Sequence, residues 1–259
     1  MWILIFIIGL CIGSFLNVVI LRFKKGENFV KGRSHCPKCK HTLLWYDNIP
    51  LVSYLSLAGK CRYCDKKISI QYPLVELATA VLFVLAFIQW NFYFTANYQL
   101  PIINYLILFT YFLFTAILII IFVYDFRWYL ILDKVSLPAI AIAFILNMII
   151  GYKFTDLFLG GVIAGGFFLL QFVVSRGKWI GGGDIRLGFL IGVMLGWQKT
   201  IVALFIAYVA GAIIGFFSMI IKNKKMNSKV PFGTFLSSAA YISMLWGSEI
   251  MAWYMRLIR

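Results

Sequence analysis

Charge is what this sequence has least of. Only 13% of its 259 residues are charged, and only nine are acids. With 63% hydrophobic residues, that scarcity excludes a disordered chain and speaks against a soluble globular domain. A second absence concerns the first apolar run, Trp2–Leu21. No basic segment precedes it and no small-residue cleavage site follows it, so it reads as a spanning helix and not as a secretory signal. A third concerns polar sequence. Arg22–Pro73 is the one long polar stretch, and it holds no glycine-rich nucleotide-binding pattern.

What the chain does have is apolar runs. About 20 such residues at ~1.5 Å rise cross a hydrocarbon core. The runs predict an all-α polytopic membrane protein with about eight spans. These are Trp2–Leu21, Leu74–Phe94, Ile102–Tyr124, Val135–Ile150, Leu157–Ser175, Ile185–Trp197, Thr200–Ile221 and Pro231–Tyr254. The division expected is a first helix (1–21), a cytoplasmic loop domain (22–73) and a helix bundle (74–259). Alternating the loops puts 20 of the 24 Lys and Arg on one side; Lys153, Lys199, Arg256 and Arg259 are the other four. Basic loops stay in the cytoplasm, so both termini are expected outside. The stretch around Asn91–Pro101 has no Lys or Arg and suits an external loop; Lys222–Lys229, with four lysines, suits an internal one. If 185–197 did not cross, the two following spans would invert. The net charge of +15 is thereby read as membrane orientation and not as nucleic-acid binding.

The loop 22–73 carries eleven Lys and Arg against three acids. Within it lie Cys36-Pro37-Lys38-Cys39 and Cys61-Arg62-Tyr63-Cys64, 21 residues apart. Two C-x2-C knuckles at this spacing supply four thiolates to a tetrahedral zinc ion. Two disulfides are the rival pattern, but the cytosol is reducing, which favours zinc. Four protein ligands leave no position for water, so the metal is expected to be structural. His35 and His41 read as surface residues, and Cys11 as a small apolar filler of the first helix.

Four acids border the spans. Asp125 ends the run Tyr111–Tyr124, and Asp184 follows Gly181-Gly182-Gly183. Acids so close to hydrocarbon are functional candidates by default. The charge pattern puts Asp125, Asp133, Asp184 and Glu76 on the same, inner side. Two neighbouring carboxylates share a proton; one can then deprotonate water while the other polarises an amide, the chemistry of an aspartic protease. The glycine triplet would let an extended substrate lie against the backbone. Other readings of the residues stay open. The acids could pair with Arg127 or Arg186, serve as a relay in a proton-coupled transporter, or belong to a non-enzymatic zinc-ribbon scaffold. Asp133 could cap the fourth helix or help to position substrate or Asp125. Glu76 is either a first-turn acid favoured by the helix dipole or part of a polar site at the inner face. Asp156 is expected to cap or start the fifth helix. Asn17, four residues after Gly13, is expected to bond between helices.

These residues together resemble the bacterial type IV prepilin peptidases, membrane aspartic proteases with a Gly-x-Gly-Asp motif. The resemblance runs through Gly13-Ser14-Phe15-Leu16-Asn17-Val18-Val19, both cysteine knuckles and Trp45-Tyr46-Asp47-Asn48-Ile49-Pro50. It continues through Gly59-Lys60, Tyr72-Pro73-Leu74-Val75-Glu76, Asp125 with Asp133 eight residues on, and Gly181-Gly182-Gly183-Asp184. Leu132 departs from the pattern, where many relatives have Pro. The resemblance implies catalytic Asp125 and Asp184, supported by Asp133, Gly181, Gly182 and Gly183, and zinc on Cys36, Cys39, Cys61 and Cys64. It implies cleavage of the basic leader from type IV prepilins or pseudopilins at the cytoplasmic face of the bacterial inner membrane. It further implies S-adenosylmethionine-dependent methylation of the new amino terminus, for which Gly59, Lys60 and Glu76 are the candidate residues. The output would be type IV pilus assembly, protein secretion or DNA uptake. The inner loops are basic like the leader, so Glu76, Asp47 or the aspartate pair must supply the attraction.

Overall fold

Helices account for most of the described part, residues 1–28, 32–94, 101–222 and 231–258 of a computed structural model; these residues contain no strand, only two isolated bridges. Most of the expected external loop near Asn91–Pro101, and the lysine-rich stretch 223–230, lie outside them. The helices are α1 (Trp2–Lys25), α2 (Val52–Ser56), α3 (Gln71–Phe94), α4 (Pro101–Trp128), α5 (Asp133–Ile150), α6 (Phe154–Ser175), α7 (Gly182–Lys222) and α8 (Phe232–Ile258). Six of them, α1 and α3 to α7, are long and apolar enough to cross a membrane. Eight runs were expected. The sixth and seventh runs are two helical stretches, 182–195 and 197–222, that meet at Gly196 (φ 73°, ψ 167°), where the backbone is not helical; under the one label α7 they count once among the six. α8 is long but is not among the six. Asp156 neither caps nor starts α6, which begins two residues earlier at Phe154 after Lys153 with no side-chain cap; it lies in the first turn, near the positive end of the helix.

The chain forms two compact units, Met1–Ile120 and Ile121–Arg259. In the first, α1 lies against α3 at a distance only glycine permits. A Cβ on Gly9 would sit 2.5 Å from Ala80 Cα, and one on Gly13 would sit 2.7 Å from Glu76 Cα. Without a hydrophobic drive between helices in lipid, such close packing and polar bonds hold them together. Asn17 supplies the bonds: its amide donates to the carbonyls of Gly13 (3.3 Å) and Tyr72 (3.1 Å), and Gln71 donates back to it (3.3 Å). Cys11, read as a small apolar filler, is exposed on α1. Farther along, Phe83 of α3 stacks on Phe112 of α4, ring centroids 4.5 Å apart.

In the second unit α6 and α7 cross where a Cβ on Gly192 would lie 2.1 Å from Gly160 O. The break at Gly196 frees backbone carbonyls inside an apolar layer, where each unpaired group is costly. Asn147 of α5 answers them, donating to Val193 O (2.7 Å) and Met194 O (3.0 Å), and Thr200 Oγ1 donates to Gly196 O (2.6 Å). The second half of α7 is tied to α8 by Ser243, whose hydroxyl donates to Lys199 O at 2.6 Å.

Candidate active site

Asp125 lies in the last turn of α4, only 5% exposed. Its Oδ2 accepts the backbone N–H of Thr234 at 2.9 Å. Thr234 is in the first turn of α8, where N–H groups have no acceptor within the helix and the helix dipole favours an anion. The carboxylate fits there because residue 233 has no side chain: a Cβ on Gly233 would stand 2.9 Å from Oδ2. Phe232 anchors this helix start with its ring 5.1 Å from that of Tyr208 and 5.7 Å from that of Phe168. Gly233 and Thr234 were not foreseen as site residues. The only sign of them in the sequence is Pro231-Phe232-Gly233 at a helix start.

Asp184 lies in the first turn of α7 and is half-buried. Its Oδ2 accepts the N–H of Gly181 at 3.0 Å, and its own N–H donates to Gly181 O at 3.0 Å. The turn therefore holds the acid it precedes. The three glycines are not equivalent. A Cβ on Gly183 would press on Ile131 Cβ at 3.0 Å, whereas one on Gly182 would meet nothing within 4 Å. Asp184 is near enough to Asp125 to feel its charge, and Tyr208 is within the same reach of Asp184. Tyr208 and Gln171 hold each other by bonds of 2.7 and 3.0 Å.

Neither aspartate forms an ion pair with Arg127 or Arg186 among the described residues. Arg186 pairs with Asp133 instead, at the exposed start of α5. Asp133 is the first residue of that helix and makes no side-chain cap, so its link is to α7, two residues beyond Asp184.

The four cysteines converge: their sulfurs all lie within 4.8 Å of one another, with Cys36 and Cys64 at 4.0 Å. Zn–S bonds of about 2.3 Å require S–S edges of about 3.8 Å, so the set fits a zinc ion after a small contraction. The two knuckles repeat one backbone design. Cys36 N–H donates to His41 O and Lys40 N–H to Cys36 O; Cys61 N–H donates to Lys66 O and Asp65 N–H to Cys61 O. Lys40 and Asp65, each just after the second cysteine of its knuckle, are both left-handed (φ 63° and 52°). Burial raises the Cys36 thiol, but the N–H groups of Cys39 and Lys38 and neighbouring thiols outweigh it and bring it to about 7. Burial pushes the Cys61 thiol up. A thiol brought toward neutral pH within a converged set of four suits thiolate ligation of a cation.

Asp47 joins the knuckles. Its carboxylate accepts from Leu44 N–H (3.1 Å), Arg62 Nε (2.9 Å) and Tyr63 OH (3.0 Å), and His41 stacks on Tyr63 with centroids 3.7 Å apart. Asp47 is thus engaged by the loop itself.

Glu76 is the sixth residue of α3, past the first turn, so the helix-dipole reading does not describe it. Its Oε2 accepts Leu51 N–H at 2.9 Å, and the Ser14 side chain of α1 lies near the same carboxyl group. Leu51 precedes α2, and Tyr54 of α2 accepts Gly59 N–H at 2.8 Å. Gly59 has φ 70° with space only for a hydrogen against the Tyr54 ring at 3.0 Å, and Lys60 beside it is exposed. Glu76, Gly59 and Lys60 therefore belong to one connected piece of the first unit.

The family model for the bacterial peptidase A24 N-terminal domain matches residues 7–90, and that for the type IV leader peptidase family matches 112–216. Similar proteins include the prepilin leader peptidase/N-methyltransferase of Aeromonas salmonicida, 32% identical over 98% of this chain and 94% of that protein. Those of Pseudomonas aeruginosa (32%, 96% and 92%) and Legionella pneumophila (30%, 98% and 94%) are comparable. No solved structure matches significantly. On its four-cysteine loop, its family-model matches and similarity over nearly its whole length, the chain belongs to the type IV leader peptidase family.

Proposed function

We propose that this multi-pass membrane protein removes the basic leader of type IV prepilins or pseudopilins and methylates the new amino terminus, with Asp125 and Asp184 activating the water. The observation that carries the first half is that two acids without a cationic partner are each oriented by a backbone N–H, Thr234 for one and Gly181 for the other. Beyond these backbone donors neither carboxyl has a side-chain hydrogen-bond partner among the described residues, which leaves both for water and substrate. The pair holds one proton between its carboxyls. The ionised carboxyl takes a proton from water as the water oxygen attacks the scissile carbonyl carbon. The protonated carboxyl gives a hydrogen bond to the carbonyl oxygen. The tetrahedral species then collapses, and a proton passes from the pair to the leaving amine. Gly183 leaves backbone room beside Ile131 for these steps, and Asp133 acts indirectly by pairing with Arg186.

The first unit carries methylation in this reading. Zinc on Cys36, Cys39, Cys61 and Cys64 holds the loop, Gly59, Lys60 and Glu76 lie near the reacting groups, and S-adenosylmethionine supplies the methyl group. The distribution of Lys and Arg supports an inner-membrane protein with the site facing the cytoplasm and both termini outside. Membranes containing the protein, mixed with a prepilin and S-adenosylmethionine, should yield a pilin that has lost its leader and gained one methyl group by mass. An unchanged prepilin would refute the assignment.

A further inference from the structure

Glu76 poses a charge problem that the peptidase does not solve. It is 7% exposed, within an apolar helix, and no Lys or Arg lies within ion-pair distance of it among the described residues. One neutral group, Leu51 N–H, donates to it, and the Ser14 side chain of α1 lies close by. The amide of Asn17 is directed elsewhere, to the carbonyls of Gly13 and Tyr72. A carboxylate so placed calls for a cation from outside. The backbone pays for the arrangement too: Leu51, which reaches it, has φ 59° and ψ −48°, a region that a branched side chain rarely adopts.

Depth selects the cation. Glu76 is about 7 Å along α3 from Gln71, at ~1.5 Å per residue. A small soluble cation gains nothing from such depth. A primary ammonium on the end of an apolar segment is held there by its own chain, and that is the group a leader cleavage creates. We infer that Glu76 binds the α-ammonium of the cleaved pilin, drawing it to the loop that carries Gly59 and Lys60. Before the amine can accept a methyl group from a sulfonium donor it must lose a proton, and Glu76 is the base in contact with it. The N–H bond breaks toward the carboxylate, the nitrogen lone pair forms the N–CH3 bond, and the thioether leaves with the electrons of the old S–CH3 bond. This inference rests on the methyltransferase reading above.

The test uses full-length protein and a mature pilin peptide, with a free or an acetylated amino terminus. Glu76→Gln keeps an oxygen for Leu51 N–H, so the loop retains that bond while the charge is lost. Wild type should bind the free-amine peptide at least about tenfold more tightly than the acetylated one, and Glu76→Gln should remove the difference, an ion-pair effect of the size expected for a buried charge. In the variant the KM for mature pilin in methylation should rise, the KM for the methyl donor should stay the same, and bound zinc and leader cleavage should be unchanged. Equal affinity of wild type for both peptides, weaker binding of both peptides by the variant, or a raised KM for the donor alone would each overturn the inference. A wild-type protein that cleaves but never methylates would instead remove the methyltransferase reading on which it rests.

Discussion

The two units hold their polar sites by opposite means. In the first, side chains do it: four cysteines converge, and Asp47 ties Arg62, Tyr63 and Leu44 into one clasp. In the second, the backbone does it: Asp125 and Asp184 are oriented by N–H groups at helix starts, and glycines make the room. A basic loop in water can collect metal ligands and ion pairs cheaply. A site at an apolar boundary cannot, because each added charge needs a partner, and preformed helix ends supply donors without one. The two units should therefore fail under different substitutions.

The largest effects are expected in the second unit, where an added methyl group has nowhere to go. Gly233→Ala would put a Cβ 2.9 Å from Asp125 Oδ2. Leader cleavage should fall about 100-fold, the order expected when a catalytic group is misplaced by an ångström. Gly183→Ala should follow it, and Gly182→Ala, with open space, should stay within about twofold of wild type, in keeping with the small cost of glycine replacement at a permissive site. Kinetics of cleavage in membranes checks all three. If Gly182→Ala were as damaging as Gly183→Ala, steric room would not be what the turn provides.

Metal removal comes next and should act on the first unit. Cys36→Ala, or stripping with a strong chelator, should lower methylation by at least about tenfold, because a structural zinc site contributes directly to folding. Cleavage of a prepilin should persist. Parallel loss of both activities in a folded protein would break the division between the units.

The smallest effects concern exposed charges and pH. The Asp133–Arg186 pair is solvent-exposed, and such pairs contribute about 1 kcal/mol or less. Asp133→Asn should change cleavage by no more than about fivefold, while a loss equal to that of an Asp125 variant would give Asp133 a direct role. In the loop, burial would raise the Asp47 carboxyl, but Arg62, Leu44 N–H and Tyr63 OH hold it below the usual carboxylate range. Its stabilising contribution is complete above an unfolded pKa of about 4 and fades as pH falls through the lower folded value. Burial and the bond to Asp47 push Tyr63 up to about 12, so its contribution is complete below about 10 and is lost as pH rises through the folded value. Acid titration of loop fluorescence should show the first transition, and Asp47→Asn should flatten it.

How much of this was legible in the sequence follows the same contrast. The cysteine knuckles and the acids at the ends of apolar runs are side-chain signals, and both were readable. The partner of Asp125 was not: a backbone N–H carries no residue signature, and Thr234 lies 109 positions away. Asp47 looked available for a basic leader because nothing in its neighbourhood announced the turn that brings Arg62 and Tyr63 to it. Asp133 was weighed as a cap, but its bond is to a residue 53 positions on. The α7 break was half-visible. Glycines were spaced along the run, yet only the structure has Asn147 meeting the carbonyls freed where the two helical stretches join at Gly196.

The most direct measurement follows both activities in the same membranes for wild type, Asp125→Asn and Asp184→Asn at equal expression. Prepilin reports cleavage, and ready-cut mature pilin reports methylation. Both variants should lose cleavage by at least about 100-fold, the scale of general acid–base catalysis, while methylating mature pilin like wild type. Cleavage retained in either variant would take that aspartate out of the mechanism and contradict the water-activating pair.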